Sequence, residues 1–155
     1  MDKKITIFKD LFKTDVSFTV SLEDIIKRIK EGKSKNLIDS IRRQKHNNKL
    51  NELKKTLPAI LFAGVFGQRN KNGLKEHSGL MITDFDGIPT AELETEFNKI
   101  KSNEHVTLIF RSPSGNGFKA VVKIPPCSIL EHEKYFKAFD DKYQYSLYKH
   151  KAILS

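Results

Sequence analysis

The segment Ser78-Gly-Leu-Met-Ile-Thr-Asp-Phe-Asp-Gly87 is a hydrophobic strand that ends in two aspartates one residue apart. Alternate residues of a β-strand share a face, so Asp84 and Asp86 are expected to project together with Cα atoms roughly 6.5 Å apart, and Phe85 to the opposite side. Paired carboxylates suit Mg²⁺ or Mn²⁺, which take one or two of them plus substrate phosphates. The alternative interpretation is that Asp-Gly marks only the turn after the strand.

A glycine-rich turn, Ser112-Pro-Ser-Gly-Asn-Gly117, follows further along the chain. It separates two predicted strands, Val106–Arg111 and Phe118–Ile124. So few connecting residues require the two strands to be antiparallel, because a parallel pair needs a crossover of a dozen or more.

Four residues in and after this turn have the chemistry of a phosphate-binding site. Gly115 and Gly117 let the backbone approach an anion, Ser114 adds a hydroxyl, and Lys119 supplies a cation. The alternative is a hairpin turn that contains glycine for steric reasons alone. The pattern is neither a P-loop nor a dinucleotide fingerprint, since it precedes a strand and lacks the required spacing.

Other segments alternate between strand and helix patterns. Lys3–Phe8 and Val16–Val20 predict strands, and Ser21 followed by Asp24 predicts a helix N-terminus with a capping box. The sequence from 21 to 57 then predicts a basic helical layer that ends before Pro58. Ala59–Phe66 predicts one buried strand.

A last helix is predicted from about Ile129 to Lys142, with Leu130, Tyr135, Phe136 and Phe139 packed inward. Together with the strands this predicts a single α+β domain over residues 1–155 with an antiparallel sheet backed by helices. A chain of this length can bury a core of its own.

The positive charge is concentrated in the first third of the chain. The net charge is +9, and residues 1–58 hold 15 Lys+Arg against 8 Asp+Glu, whereas residues 59–155 hold 13 against 11. A basic block of this kind can contact nucleic acid, and it can equally be the solvated face of lysine-rich helices. The candidate nucleic-acid-binding residues are Lys27, Arg28, Arg42, Arg43 and Lys45.

Composition indicates a cytoplasmic protein. The chain has one cysteine, Cys127, which cannot form an internal disulfide. The amino terminus lacks the apolar region of a signal peptide, and no run approaches the ~20 apolar residues of a membrane span. We therefore expect no membrane partner.

The order of these motifs resembles the VirE N-terminal domain family, a group of primase-polymerase-like modules of the archaeo-eukaryotic primase superfamily on bacterial mobile elements, especially in Bacteroidetes. The resemblance runs over Leu57–Phe66, Arg69, His77–Leu80, Asp84–Asp86 and Ser112–Lys119. It implies an RRM-like sheet, a role in DNA replication, and binding of a nucleoside triphosphate and of single-stranded or primed DNA.

Residue by residue, the resemblance implies that Asp84 and Asp86 are catalytic acids that hold Mg²⁺ or Mn²⁺. Ser114, Gly115, Gly117 and Lys119 would hold the triphosphate, with a contact from Arg69. Active members of the superfamily also use a third acid on a later strand, and no such strand is evident before Ser155. The resemblance therefore implies a truncated copy of a longer protein, with a helicase-type domain as a further partner and little nucleotidyl transfer by this chain alone.

Two alternative functions are each suggested by part of the sequence. One is a non-catalytic nucleic-acid-binding remnant that uses the basic helices. The other is a haloacid-dehalogenase-like phosphatase, because Asp84-Phe-Asp-Gly87 resembles the first motif of that class. That fold requires parallel strands, which the hairpin between Arg111 and Phe118 does not allow.

Overall fold

The structure, a computed structural model, describes residues 2–143. The predicted α+β class is confirmed, and every strand pair is antiparallel. By its internal contacts the chain divides into two compact units, Met1–Gly79 and Leu80–Ser155. Among the described helices, none has the length and apolar character needed to cross a membrane.

The first unit contains two small sheets and three helices. Its three-stranded sheet has the order β2-β1-β3, and its two-stranded sheet pairs β4 with β5. The elements are β1 (Lys4–Phe8), β2 (Ser17–Ser21), α1 (Leu22–Lys30), α2 (Lys35–Arg43), α3 (Asn47–Lys55), β3 (Ala59–Leu61), β4 (Gly64–Phe66) and β5 (Leu74–His77).

The predicted capping box at the start of α1 is confirmed. The Asp24 N–H donates to Ser21 Oγ at 3.0 Å, and the Ser21 N–H donates to Asp24 Oδ2 at 3.2 Å. Both hydrogen bonds satisfy N–H groups that a helix start leaves without partners. They also hold the pKa of Asp24 below its usual value, because they favour the ionised carboxylate.

The prediction of one buried strand over Ala59–Phe66 is wrong. The chain turns at Phe62 and Ala63, so the segment supplies β3 to one sheet and β4 to another. Gly64 has a φ of +154°, and a Cβ there would lie 1.9 Å from the Glu76 carbonyl oxygen. The close approach of β5 therefore fixes a glycine and a bend where the hydrophobic pattern alone indicates a continuous strand.

The second unit is a three-stranded sheet covered by helices. Its strand order is β6-β8-β7. The elements are β6 (Leu80–Phe85), a 3₁₀ turn (Thr90–Glu92), α4 (Leu93–Lys101), β7 (Val106–Arg111), β8 (Phe118–Lys123) and α5 (Ile129–Tyr143). Phe85 and Phe118 pair across β6 and β8 and are buried in its core with Ile100. The prediction that Phe85 projects to the side opposite Asp84 is confirmed, since Phe85 is buried and the Asp84 side chain is exposed.

The predicted packing of α5 is wrong for three of its four residues. Phe139 packs against the core and Tyr143 is buried in it, whereas Leu130, Tyr135 and Phe136 are exposed. The helix contacts the core through Phe139 and Tyr143 near its end, and the three residues before them are left exposed.

Two buried threonines provide a matched test of hydrogen bonding in the core. Thr6 and Thr83 are each 1% exposed. The Thr6 hydroxyl donates to the Gly64 carbonyl and accepts from the Phe66 N–H, both at 2.9 Å. Within residues 2–143, Thr83 Oγ1 has no hydrogen-bond partner.

We expect Thr83→Val to raise the free energy of unfolding by about 1 kcal/mol or more, since a buried hydroxyl without a partner costs roughly 1–3 kcal/mol. Thr6→Val is the control and should lower the free energy of unfolding by a similar amount, because the Phe66 N–H loses its acceptor. Urea denaturation followed by circular dichroism measures both. Destabilisation by Thr83→Val would contradict the assignment of an unsatisfied hydroxyl.

Candidate functional site

The candidate site is built around an ion pair between neighbouring strands of the second unit. Asp84 on β6 lies directly opposite Lys119 on β8, and Lys119 Nζ contacts Asp84 Oδ1 at 2.6 Å. The two residues are 35 positions apart in sequence, and the antiparallel register alone brings them together. The structure therefore joins one predicted metal ligand to one predicted phosphate ligand.

This pair is accessible to solvent. The Asp84 side chain is 52% exposed and the Lys119 side chain 30% exposed. Ion pairs of this exposure contribute about 1 kcal/mol or less, because water competes for both charges. A ligand that offers each partner a replacement can therefore separate them at small cost.

Phe110 lies on the same face of the sheet as Asp84 and Lys119. It lies opposite Lys119 on the other neighbouring strand, β7, and its side chain is half-buried. The row across the three strands is thus an acid, a cation and an aromatic ring. Phe110 was not selected from sequence, although counting back from the Arg111–Phe118 pair of the hairpin places it opposite Lys119.

Asp86 follows the strand instead of lying in it. The pairing between β6 and β8 ends at Phe85 and Phe118, because Gly117, the residue before Phe118, belongs to the turn. Of the two aspartates, only Asp84 therefore lies on a strand face, and the predicted shared face is not formed. Asp86 remains next to the site, since a Cβ on Gly117 would lie 2.0 Å from the Phe85 carbonyl oxygen and 3.0 Å from Asp86 Cα.

The glycine-rich turn is held at its base and at its tip. The Ser112 N–H donates to the Gly117 carbonyl at 2.9 Å, and the Gly115 N–H donates back to the Ser112 carbonyl at 2.9 Å. Gly115 has a φ of +83°, which favours glycine. The Ser114 hydroxyl donates to Asn116 Oδ1 at 2.8 Å.

Asn116 connects the turn to the segment after the acids. Its carbonyl accepts from the Ile88 N–H at 3.0 Å, which ties the turn to the chain beyond Asp86. Asn116 and the buried Ser112 were not selected from sequence. Asn-Gly is a turn signal, but its contact with Ile88 depends on the tertiary fold.

The donor set predicted from sequence for a divalent cation consists of two carboxylates, those of Asp84 and Asp86. Within the described part of the chain, no group of three or more His, Cys, Asp or Glu side chains is placed to hold a metal ion. Asp84 and Asp86 therefore offer two carboxylates, and Mg²⁺ or Mn²⁺ would complete its coordination with phosphate oxygens and water.

The other predicted residues lie in the first unit. Arg69 Nη1 donates to the Leu11 carbonyl at 2.8 Å, which holds the loop after β4 against the segment after β1. This is a structural role for the arginine. The predicted triphosphate contact from Arg69 stays a prediction.

The five basic candidates lie on α1, on α2 and just after α2. Lys27 and Arg28 are on α1, Arg42 and Arg43 end α2, and Lys45 comes shortly after it. Lys27 pairs with Glu31 at 3.9 Å and Arg28 Nη2 donates to Ser34 Oγ at 3.5 Å. Arg42, Arg43 and Lys45 are exposed.

The fold and the site together define an α+β domain with an acid–lysine pair beside a glycine-rich turn. A family model described as BT4734-like, N-terminal domain, matches residues 52–151, which is more than half of the chain. The chain therefore belongs to the BT4734-like N-terminal domain family. No curated protein and no solved structure matches it.

This membership corrects the resemblance drawn from sequence motifs. The VirE N-terminal domain assignment is wrong, because the matching model is a different family, and the comparisons give no support for a primase-polymerase or for a mobile-element replication protein. The short motifs, such as Asp84-Phe-Asp86, are common enough to occur in unrelated chains. The third acid and the truncation implied by the VirE resemblance do not carry over.

Proposed function

We propose that the second unit binds a nucleoside triphosphate together with Mg²⁺ or Mn²⁺. The observation that carries this proposal is the Asp84–Lys119 pair beside the turn Ser112–Gly117. A metal ion would take the Asp84 and Asp86 carboxylates. The Lys119 ammonium would then be released toward a phosphate oxygen, with the glycine-rich turn alongside.

The pair explains why the two ligands should bind together. A metal ion alone must take Asp84 from Lys119 and leave the ammonium without a counter-charge. A triphosphate alone must take Lys119 from Asp84. When both ligands bind, Asp84 exchanges Lys119 for the metal ion, and Lys119 exchanges Asp84 for a phosphate oxygen. Each ligand should therefore raise the affinity for the other by the same factor.

The proposal is one of binding. Two carboxylates supply only part of the charge that a two-metal phosphoryl-transfer site uses to hold the attacking and leaving oxygens. We therefore assign no nucleotidyl transfer to this pair.

We expect Lys119→Ala to change metal and nucleotide binding in opposite directions. Binding of Mg²⁺ with ATP should weaken by about 1.5–3 kcal/mol, the range for a hydrogen bond to a charged group. Binding of Mn²⁺ alone should strengthen, because Asp84 no longer has a competing cation. Isothermal titration calorimetry measures both quantities.

Lys123→Ala is the matched control. Lys123 is an exposed lysine on the same strand, opposite Leu80 and four residues from Lys119. Its removal subtracts the same charge and should leave both affinities close to wild type. Equal ATP affinity in wild type and Lys119→Ala would reject the site.

A second candidate function is binding of single-stranded DNA by the first unit. It is favoured by the basic side chains that α1 and α2 expose, among them Lys27 and Arg43. Lys and Arg that neutralise phosphates release counterions, so the affinity should fall as the salt concentration rises.

We also infer a cytoplasmic location, because the single cysteine, Cys127, fits a reducing compartment.

A further inference from the structure

A groove of about 1210 Å³ lies within the first unit. One face of the β1–β2 hairpin lines it with Ile7, Phe18 and Val20. Phe18 lies directly opposite Ile7, and Val20 shares its face two residues along. Ile25 of α1 and Leu37 of α2 also line the groove.

The charged residues that line this groove are predominantly basic. Two acidic side chains line it, Asp24 and Glu31, against five basic ones. The basic residues are Lys9, Lys13, Lys27, Arg28 and Lys33.

Both acids are already engaged by neighbours within the unit. Asp24 caps the start of α1, and Glu31 contacts Lys33 at 3.3 Å and Lys27 at 3.9 Å. Lys9 and Lys13, which follow β1, form no ion pair within residues 2–143. The groove therefore presents uncompensated positive charge to a polyanion.

The groove also presents an aromatic ring to solvent. Phe18 is 59% exposed, although it lies on a sheet face whose other members are largely covered. Single-stranded nucleic acid is bound by this combination, in which cations follow the phosphates and an aromatic side chain stacks on a base. In a duplex the bases are already stacked on each other and do not offer a face to such a ring.

We propose that this groove binds single-stranded DNA, with Phe18 stacked on a base and with Lys9, Lys13 and Arg28 contacting phosphates. This inference rests on the second candidate function and gives it a location. Of the five basic residues selected from sequence, Lys27 and Arg28 line the groove. Arg42, Arg43 and Lys45 are not among the residues that line it.

The first experiment tests the aromatic platform by fluorescence anisotropy with a labelled deoxythymidine oligonucleotide. Phe18→Leu keeps an apolar side chain and removes the flat ring, so the affinity should fall roughly 5- to 150-fold, the effect of stacking on one base. Phe18→Tyr keeps the ring and should bind like wild type. Phe12→Leu is the control, since Phe12 is also exposed and lies outside the groove lining.

The second experiment tests the cations through the salt dependence of the affinity. Lys9→Ala with Lys13→Ala should make the slope of log affinity against log salt shallower by about 1.4, since each phosphate contact on a single strand contributes about 0.7. Lys99→Ala with Lys137→Ala removes the same charge from two exposed positions of the second unit and should leave the slope unchanged. Polyglutamate of equal charge should compete poorly, because it offers no base to Phe18.

The possible results distinguish single-stranded DNA binding by the first unit from binding in this particular groove. If the wild-type chain binds no oligonucleotide at low salt, both the candidate function and the groove are rejected. If wild type binds and Phe18→Leu binds equally well, DNA binding stands and the groove is rejected. Polyglutamate competing as well as the oligonucleotide would reject base stacking by Phe18.

Discussion

Replacing Gly117 with alanine is expected to lower the free energy of unfolding by about 3 kcal/mol, at the upper end of the range for overpacking. The added Cβ would lie 2.0 Å from the Phe85 carbonyl oxygen, and backbone atoms cannot move aside as a side chain can. The β8 end of the turn must then separate from β6. Because Asp84 and Lys119 lie two residues or fewer from this contact, metal-dependent nucleotide binding should be lost as well.

Gly67→Ala is the control for this substitution. A Cβ at Gly67 would lie 2.8 Å from Lys75 Cε, the flexible part of an exposed lysine. The lysine can rotate away, so the free energy of unfolding should change by about 0.5 kcal/mol or less. Urea denaturation of both variants measures the difference. Similar stability of the two variants would show that the approach of Gly117 to Phe85 is looser than described.

The double substitution Asp84→Asn with Asp86→Asn is expected to remove metal-dependent nucleotide binding entirely. An amide oxygen carries no net charge, so neither position retains the attraction that holds Mg²⁺ or Mn²⁺. The fold should remain, because the Asp84–Lys119 pair is exposed and contributes about 1 kcal/mol or less. Calorimetric titration of Mn²⁺ and of ATP with Mn²⁺ measures the loss, and circular dichroism measures the fold.

Two further variants make this test specific. Glu92→Gln with Glu94→Gln removes two exposed carboxylates elsewhere in the second unit and should leave binding unchanged. Asp84→Asn alone releases Lys119, so metal-free ATP should bind more tightly than to wild type. Wild-type metal affinity in the double variant would eliminate the proposed site.

Features of the fold that depend on neighbouring residues could be predicted from the sequence. The Ser21–Asp24 capping box and the β7–β8 hairpin each depend on a few adjacent positions, and the structure confirms both. The orientation of Phe85 follows from strand alternation and is also confirmed. These predictions needed no knowledge of distant contacts.

Features that depend on distant contacts could not be predicted in the same way. The bend at Gly64 is set by the Glu76 carbonyl, and the exposure of Leu130 depends on which part of α5 reaches the core. The Asp84–Lys119 pair required the register between β6 and β8, which are not adjacent in sequence. The groove beside Phe18 required the placement of α1 and α2 against the hairpin.

The bend within Ala59–Phe66 also bears on how the chain avoids aggregation. This segment is uncharged and almost wholly apolar, a composition that favours pairing between strands of different molecules. The turn at Phe62 and Ala63 is secured by Ser78, whose N–H donates to the Ala63 carbonyl at 2.8 Å. It divides the segment into two strands of three residues, each paired within its own chain. Short strands offer little edge to a second molecule, so the bend limits pairing of this apolar segment with another chain.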